Sequence, residues 1–323
     1  MKDLRLILLL AMACLAAGLL SVFSTGFPLG DWLAGDRAAS MILTELRLPR
    51  ALTGLIVGAG LGATGAALQG FFRNPLADPG IVGVTSGAGL GAVIALYFGL
   101  AGVFAFAVPL AAIAGAGLGA TALLLIAGPG ARATTLILSG VAVGALANAL
   151  TALLMNLSPN PWALSEIAYW LMGSLTNASW TEVWIATPLI AAGLCVLAFT
   201  RRALDALSLG DDAAASLGHD LDGLRLTVVV GAALSVGGGV AVAGAIGFVG
   251  LVVPHLLRPF VQHEPGRLLL PSALGGAALL SLADTTTRAL SGSGLPLYLG
   301  VATALLGAPF FLWLVRTQSR RAP

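Results

Sequence analysis

Few residues in this 323-residue chain could do chemistry, and they fall into small groups. Arg47 and Arg50 flank a Leu-Pro pair in LRLPRALTG, immediately before a long apolar run. Guanidiniums at a helix mouth can snorkel to lipid phosphates, or simply stop the helix from sliding. Two polar stretches interrupt the apolar sequence further on, RNPLADPG at 73–80 and LSLGDDAAASLGHDLDGLR at 207–225. Reaction chemistry is missing. The only lysine is Lys2, so no GxxxxGK[ST] phosphate loop can exist, and the chain cannot be a P-loop ATPase by itself. His219, His255 and His263 do not form a spaced ligand set, and Cys14 and Cys195 lie in apolar runs with no His or Cys nearby. No metal site, no bound cofactor and no enzymatic activity are therefore expected.

The elements that must position these residues are set by composition. The chain is 58% hydrophobic and only 9% charged, against about one quarter charged in a soluble domain. Its solvent must be mostly lipid. A span needs roughly 20 apolar residues. Such runs fall at about 4–23, 50–72, 81–99, 103–127, 133–155, 183–200, 226–245, 248–261, 268–290 and 296–315. The chain reads as one all-α, polytopic membrane domain over 1–323 with about ten transmembrane helices. The first run follows basic residues, as a cleaved leader would, but no clear small-x-small site precedes Ser24, so it is read as a membrane helix. Pro49 is read as setting where the second helix begins. The stretch 225–262 is too long for one span and short for two. Gly237-Gly238-Gly239 and Gly244, Gly247 and Gly250 suggest a break or a tight reversal, giving one full helix and one short one.

Lysines and arginines test this layout. With the N-terminus in the cytoplasm, Lys2, Arg5, Arg73, Arg132, Arg201, Arg202, Arg225, Arg258, Arg267, Arg316, Arg320 and Arg321 fall inside, and Arg37, Arg47, Arg50 and Arg288 outside. The bias obeys the positive-inside rule and puts both termini in the cytoplasm. Arg47 and Arg50 thus stand on the side where arginines are scarce. At an offset of 179, VGAGLGATGAALQGFFRNP (57–75) matches VGGGVAVAGAIGFVGLVVP (236–254) at Val57/Val236, Gly58/Gly237, Gly60/Gly239, Gly65/Gly244, Ala66/Ala245 and Pro75/Pro254. Five spans separate the copies, which predicts two inverted halves, a common transporter architecture. An ion-coupled secondary carrier would be the alternative class. Such carriers usually keep ionisable groups at membrane depth, and the main candidate here, Asp284, falls near the outer end of the ninth span.

Six stretches carry a resemblance: RLPRALTGLIVGAGLGATGAALQGFFRNPLADPGIVGVTSGAGLG, YWLMGSL, LSLGDDAAASLGHD, GAIGFVGLVVPHLLR, LLLPSALGGAALLSLADTTTRAL and LGAPFFLWLV. From about residue 45 to the C-terminus the chain resembles FecCD-type permeases, the membrane subunits of type II ABC importers for iron chelates, haem and vitamin B12. The resemblance implies a ten-helix inverted-repeat fold in the bacterial inner membrane. It also implies a homodimer in lipid, two cytoplasmic ATPase subunits that hold ATP and Mg, and a periplasmic binding protein. Nothing suggests a nucleic-acid partner.

The resemblance also assigns roles. Asn74 and Leu76 in RNPLADPG would line a cytoplasmic gate, with Thr134 and Thr135 of ARATTLILSG as a looser second element. The 207–225 segment would be the coupling helix that fits a groove on the ATPase. Asp211 or Asp212 could cap it and Gly218 end it, while Leu209, Ala213 and Leu217, four residues apart, would share the contact face. Arg47 and Arg50, with Arg288 in LADTTTRAL, would face acidic residues of the binding protein, since a guanidinium fork holds a carboxylate through two charge-assisted bonds. The implied function is import of a metal chelate, foremost a ferric siderophore, with cobalamin and haem as alternatives. The outer loop 156–182 carries no His, Met or Tyr array specific to haem.

Overall fold

The computed structural model describes residues 2–24, 26–291 and 297–319. Arg320 and Arg321 of the charge count, and Pro296 at the expected start of the last span, lie outside the described residues. Within them all regular structure is helical. The first half holds α1 (Lys2–Phe23), the short α2 (Leu29–Leu33) and α3 (Arg37–Met41), then α4 (Leu48–Phe71), α5 (Val84–Tyr97), α6 (Ala107–Ala127) and α7 (Ala133–Asn156). A connecting α8 (Pro161–Leu171) leads to α9 (Trp180–Phe199), the short α10 (Arg201–Leu207) and α11 (Asp211–Ser216), then α12 (Leu221–Ala243), α13 (Val249–Leu257), α14 (Pro265–Ser291) and α15 (Leu299–Ser319). Seven helices are long and apolar enough to cross a membrane, and three shorter apolar ones, Val84–Tyr97, Val249–Val261 and Leu299–Leu314, complete the ten expected. Leu8, Leu15, Leu118, Leu125 and Phe199 point outward, which suits a lipid solvent.

The two halves share an order. In each, the second long helix (α4, α12) is followed by non-helical chain and then a short helix (α5, α13). The sequence copies part at their C-terminal end. Gly65 is helical inside α4, whereas Gly244 ends α12 with φ +69°. That left-handed backbone is open to glycine at no steric cost, so the break falls at 244–248. Gly237-Gly238-Gly239 stay helical and pack instead against Ala116, Leu189 and Val57.

α4 is the centre of the bundle, buried against α9, α12, α13 and α14. Small residues make its seam with α14. A Cβ on Gly62 would stand 2.0 Å from the Ser272 carbonyl oxygen of α14, and one on Gly58 2.4 Å from that of Gly276. In lipid, such close backbone approach is what holds helices together.

Three expectations need correction. The second helix does not begin at Pro49. Helical backbone runs from Arg37 to Phe71, and Ile42–Arg47 forms a wider π turn. Pro49 has no N–H to give, so the hydrogen-bond ladder changes register just upstream of it. α12 begins at Leu221 rather than 226, because the Asp220 side chain accepts the Asp222 N–H and opens the helix on a polar turn. The loop 156–182 contains α8, capped by Asn160, which accepts the Ala163 N–H at 2.9 Å.

Candidate docking, coupling and gating sites

Arg47, Arg50 and Arg288 converge where α1, α4 and α14 meet. Asp284, 1% exposed, is gripped by Arg50, whose Nε and Nη2 donate to the carboxylate at 2.8 to 3.2 Å. Arg288 lies 3.6 Å from the same carboxylate, one turn along α14, and its Nη2 donates to the Ser21 carbonyl at 2.6 Å. Arg47 donates to the Ser24 carbonyl at 2.7 Å and sits over the Phe27 ring at 5.9 Å. All three arginines are therefore drawn toward the ends of α1 and α14 rather than standing free in solvent. Asp284, weighed in sequence only as a possible ion-carrier residue, is the shared counter-ion of Arg50 and Arg288.

On the opposite face, 207–225 is not one helix. α10 and α11 are separated by a turn at 208–210, and the polar unit begins already at Arg201. Leu209 (72% exposed) and Leu217 (62% exposed) project outward, Ala213 is half-buried, and Gly218 takes φ +86° beyond α11. Asp211 does not cap α11. The N-cap is Gly210, without a side-chain bond, and the Asp211 carboxylate is taken by Arg73 at 2.7 Å. α10 is pinned to the start of α14: Asp205 accepts the Gly266 N–H at 2.7 Å, and Arg201 Nε donates to the Gly266 carbonyl at 3.1 Å.

RNPLADPG forms a folded loop. Asn74 Oδ1 accepts the Leu76 N–H at 2.9 Å, and Asp78 caps the 3₁₀ turn Pro79–Val82 by accepting the Gly80 N–H at 2.8 Å. Burial pushes the Asp78 carboxyl above the usual carboxylate range, against the opposing pull of that N–H. The turn packs on α7 at Gly140, where a Cβ would lie 2.2 Å from the Ile81 carbonyl oxygen. This is the meeting point of the loop with α7. Thr134 and Thr135 stand exposed in the first turn of that helix. A cavity of about 160 Å³ lies beside the loop, lined by Leu61, Asp78, Pro79, Thr85, Ile246 and Phe248. Two of these residues belong to the broken stretch 244–248. Non-helical backbone at membrane depth is tolerated where it lines such a space.

Sequence reasoning missed Gln69. This fully buried side chain donates to the Gly250 and Leu251 carbonyls at 3.3 and 3.2 Å and accepts Arg258 Nη2 at 2.7 Å, joining α4 to α13. A carboxamide set among small residues near the end of a glycine-alanine helix was the available signal. YWLMGSL is explained by contact: Gly173, Gly244 and Gly300 meet where a Cβ on any of them would strike backbone oxygen. Among the described residues no group of three or more His, Cys, Asp or Glu could hold a metal ion.

Apolar helices long enough to span a membrane, a broken span beside a cavity and a polar helical unit at one end are the features of a transport permease. The chain belongs to the FecCD transport family, whose model matches residues 6–317. It is 39% identical to vitamin B12 import system permeases of Salmonella paratyphi A and Salmonella typhimurium, covering 99% of this chain and 97% of each relative. Its fold is similar to a solved inward-facing conformation of a metal-chelate type ABC transporter, with a TM-score of 0.86 and 32% identity over 97% of this chain and 99% of that one. The protein is thus a permease subunit of an ABC importer and not an enzyme, a role that implies an ATPase partner and a binding protein.

Proposed function

We propose that two copies of this chain form the pathway by which a metal chelate crosses the bacterial inner membrane, with both termini in the cytoplasm. Two ATPase subunits hold ATP and Mg and grip α10–α11, whose exposed Leu209 and Leu217 offer apolar contact. The loop at Asn74 and Leu76, with Thr134 and Thr135 on α7, gates the inner mouth. The binding protein docks on the outer face, where Arg47, Arg50 and Arg288 outnumber Asp284 and leave excess positive charge for acidic side chains.

The observation that carries this reading is the polar two-helix unit Arg201–Ser216 between membrane-long α9 and α12. A self-powered carrier has no use for it, whereas a partner that delivers mechanical work needs such a handle. For the cargo, the vitamin B12 relatives support cobalamin, and the wider family resemblance supports a ferric siderophore. Vesicles carrying the permease, its ATPase and its binding protein distinguish them. ATP-dependent accumulation of labelled cobalamin with no competition from ferric siderophores assigns the first, and the reverse result assigns the second.

A further inference from the structure

The coupling unit and the gate loop are joined by one side-chain pair. Arg73 opens RNPLADPG and Asp211 opens α11. Their 2.7 Å ion pair closes a gap of 138 residues in sequence. Arg73 is itself held in an unusual place. Its φ is +49°, its N–H donates to the Gly70 carbonyl at 3.2 Å, and the next N–H, of Asn74, reaches the Gln69 carbonyl at 3.1 Å. A non-glycine residue in this conformation costs energy, and here it aims the side chain across at α11.

The loop beyond Arg73 is stiff. The Asn74 side chain fixes Leu76, and Asp78 fixes the 3₁₀ turn that abuts α7. A displacement applied at Arg73 therefore passes to Leu76 and Ile81 rather than dying out in a floppy connector. On the other side, α10 is locked to Gly266, where any Cβ would lie 2.4 Å from the Arg201 carbonyl oxygen and 2.6 Å from Asp205 Oδ2. That junction is half-buried and admits no slack. The unit thus has a tight pivot at Gly266, apolar packing of α10 on α4 and of α11 on α12, and an exposed, breakable ion pair at Asp211.

We propose that Arg73 is the positioning residue that carries motion of α11 into the gate loop, through its ion pair with Asp211. This rests on the ATP-driven reading above. An exposed pair adds little to stability, so its use lies in transmission: it makes the loop follow α11 when the ATPases move. The permease does not need the pair in order to fold, and both side chains are accessible to substitution.

The test is a charge swap in the complete reconstituted importer, reading cargo taken up per ATP hydrolysed. Arg73→Asp and Asp211→Arg should each lower that ratio, by up to about fivefold for an exposed pair. The combined Arg73→Asp/Asp211→Arg protein should regain most of the wild-type ratio, because the pair is rebuilt in reverse. A purely structural contact would change yield and leave the ratio alone. Single variants at the wild-type ratio, or a swap no better than the worse single variant, would overturn the proposal while leaving the importer reading standing. Wild-type vesicles that show no ATP-dependent uptake would overturn both.

Discussion

Arg50 of α4 clamps Asp284 of α14 with both arms of its guanidinium, across 234 residues of sequence, where the start of α4 meets the last turns of α14. The carboxylate is almost wholly buried and Arg288 approaches it from one turn away. A buried carboxylate can stay charged only with partners of this kind. The cluster therefore does two things: it ties α14 to α4, and through the Arg288 and Arg47 bonds to Ser21 and Ser24 it ties both to α1.

Removing the shared counter-ion leaves two partly buried guanidiniums, Arg50 and Arg288, without their acidic partner. Asp284→Ala should lower stability by about 3–5 kcal/mol, the range for breaking a buried pair on one side. Arg50→Ala should cost a similar amount, whereas Arg37→Ala, outside the cluster, should be nearly silent. Thermal unfolding in lipid nanodiscs reads the difference. Equal midpoints for Asp284→Ala and Arg37→Ala would remove the structural role.

Of the three outer arginines, Arg47 separates docking from folding best, because it does not bond Asp284. Arg47→Glu should weaken binding-protein affinity, and Arg47→Glu/Arg50→Glu/Arg288→Glu should weaken it further and also destabilise the bundle. Pairs formed in water are worth about 0.2–1 kcal/mol each and are screened over about 8 Å at physiological salt. Titrations of the purified binding protein at low and high salt measure this. Affinity unchanged in the triple variant would rule out the docking role.

Leu217 should matter only to the ATPase. Burying an exposed leucine contributes about 1.5–3 kcal/mol, so Leu217→Asp should lower recovery of the ATPase on the tagged permease by an order of magnitude or more. The permease's own unfolding midpoint should not move. Co-purification at wild-type yield would place the contact elsewhere.

The α4–α14 seam admits no added carbon. Gly62→Ala should destabilise by about 1–3 kcal/mol because Ser272 backbone must give way. Gly117→Ala, with nothing within 4 Å of the new Cβ, should be neutral or gain up to about 1 kcal/mol from helix propensity. Opposite signs in the two midpoints support the packing described.

What could be read from sequence follows from the reach of each signal. Lipid demands long apolar helices, so ten runs were visible. The break after α12 was visible too, but only as a glycine-rich stretch from Gly237 to Gly250 with no single position marked. Gly244 decides it because it alone of these takes positive φ, while Gly237 to Gly239 serve packing that depends on partners distant in sequence. α8 carried its own signal, Asn160 before Pro161, a cap followed by a residue suited to the first helical turn. The pairings Arg50–Asp284 and Arg73–Asp211 were not legible. Each joins residues more than a hundred positions apart, and no local pattern encodes a contact that only the folded bundle creates.

The central claim is that this chain moves its cargo on ATP hydrolysed by a partner. Uptake into sealed vesicles tests it, with the permease alone or with the ATPase and binding protein added, and with either ATP or an imposed proton gradient as the energy source. The expected result is accumulation only when all three proteins and ATP are present, with no response to the gradient. Gradient-driven uptake by the permease alone would contradict the account.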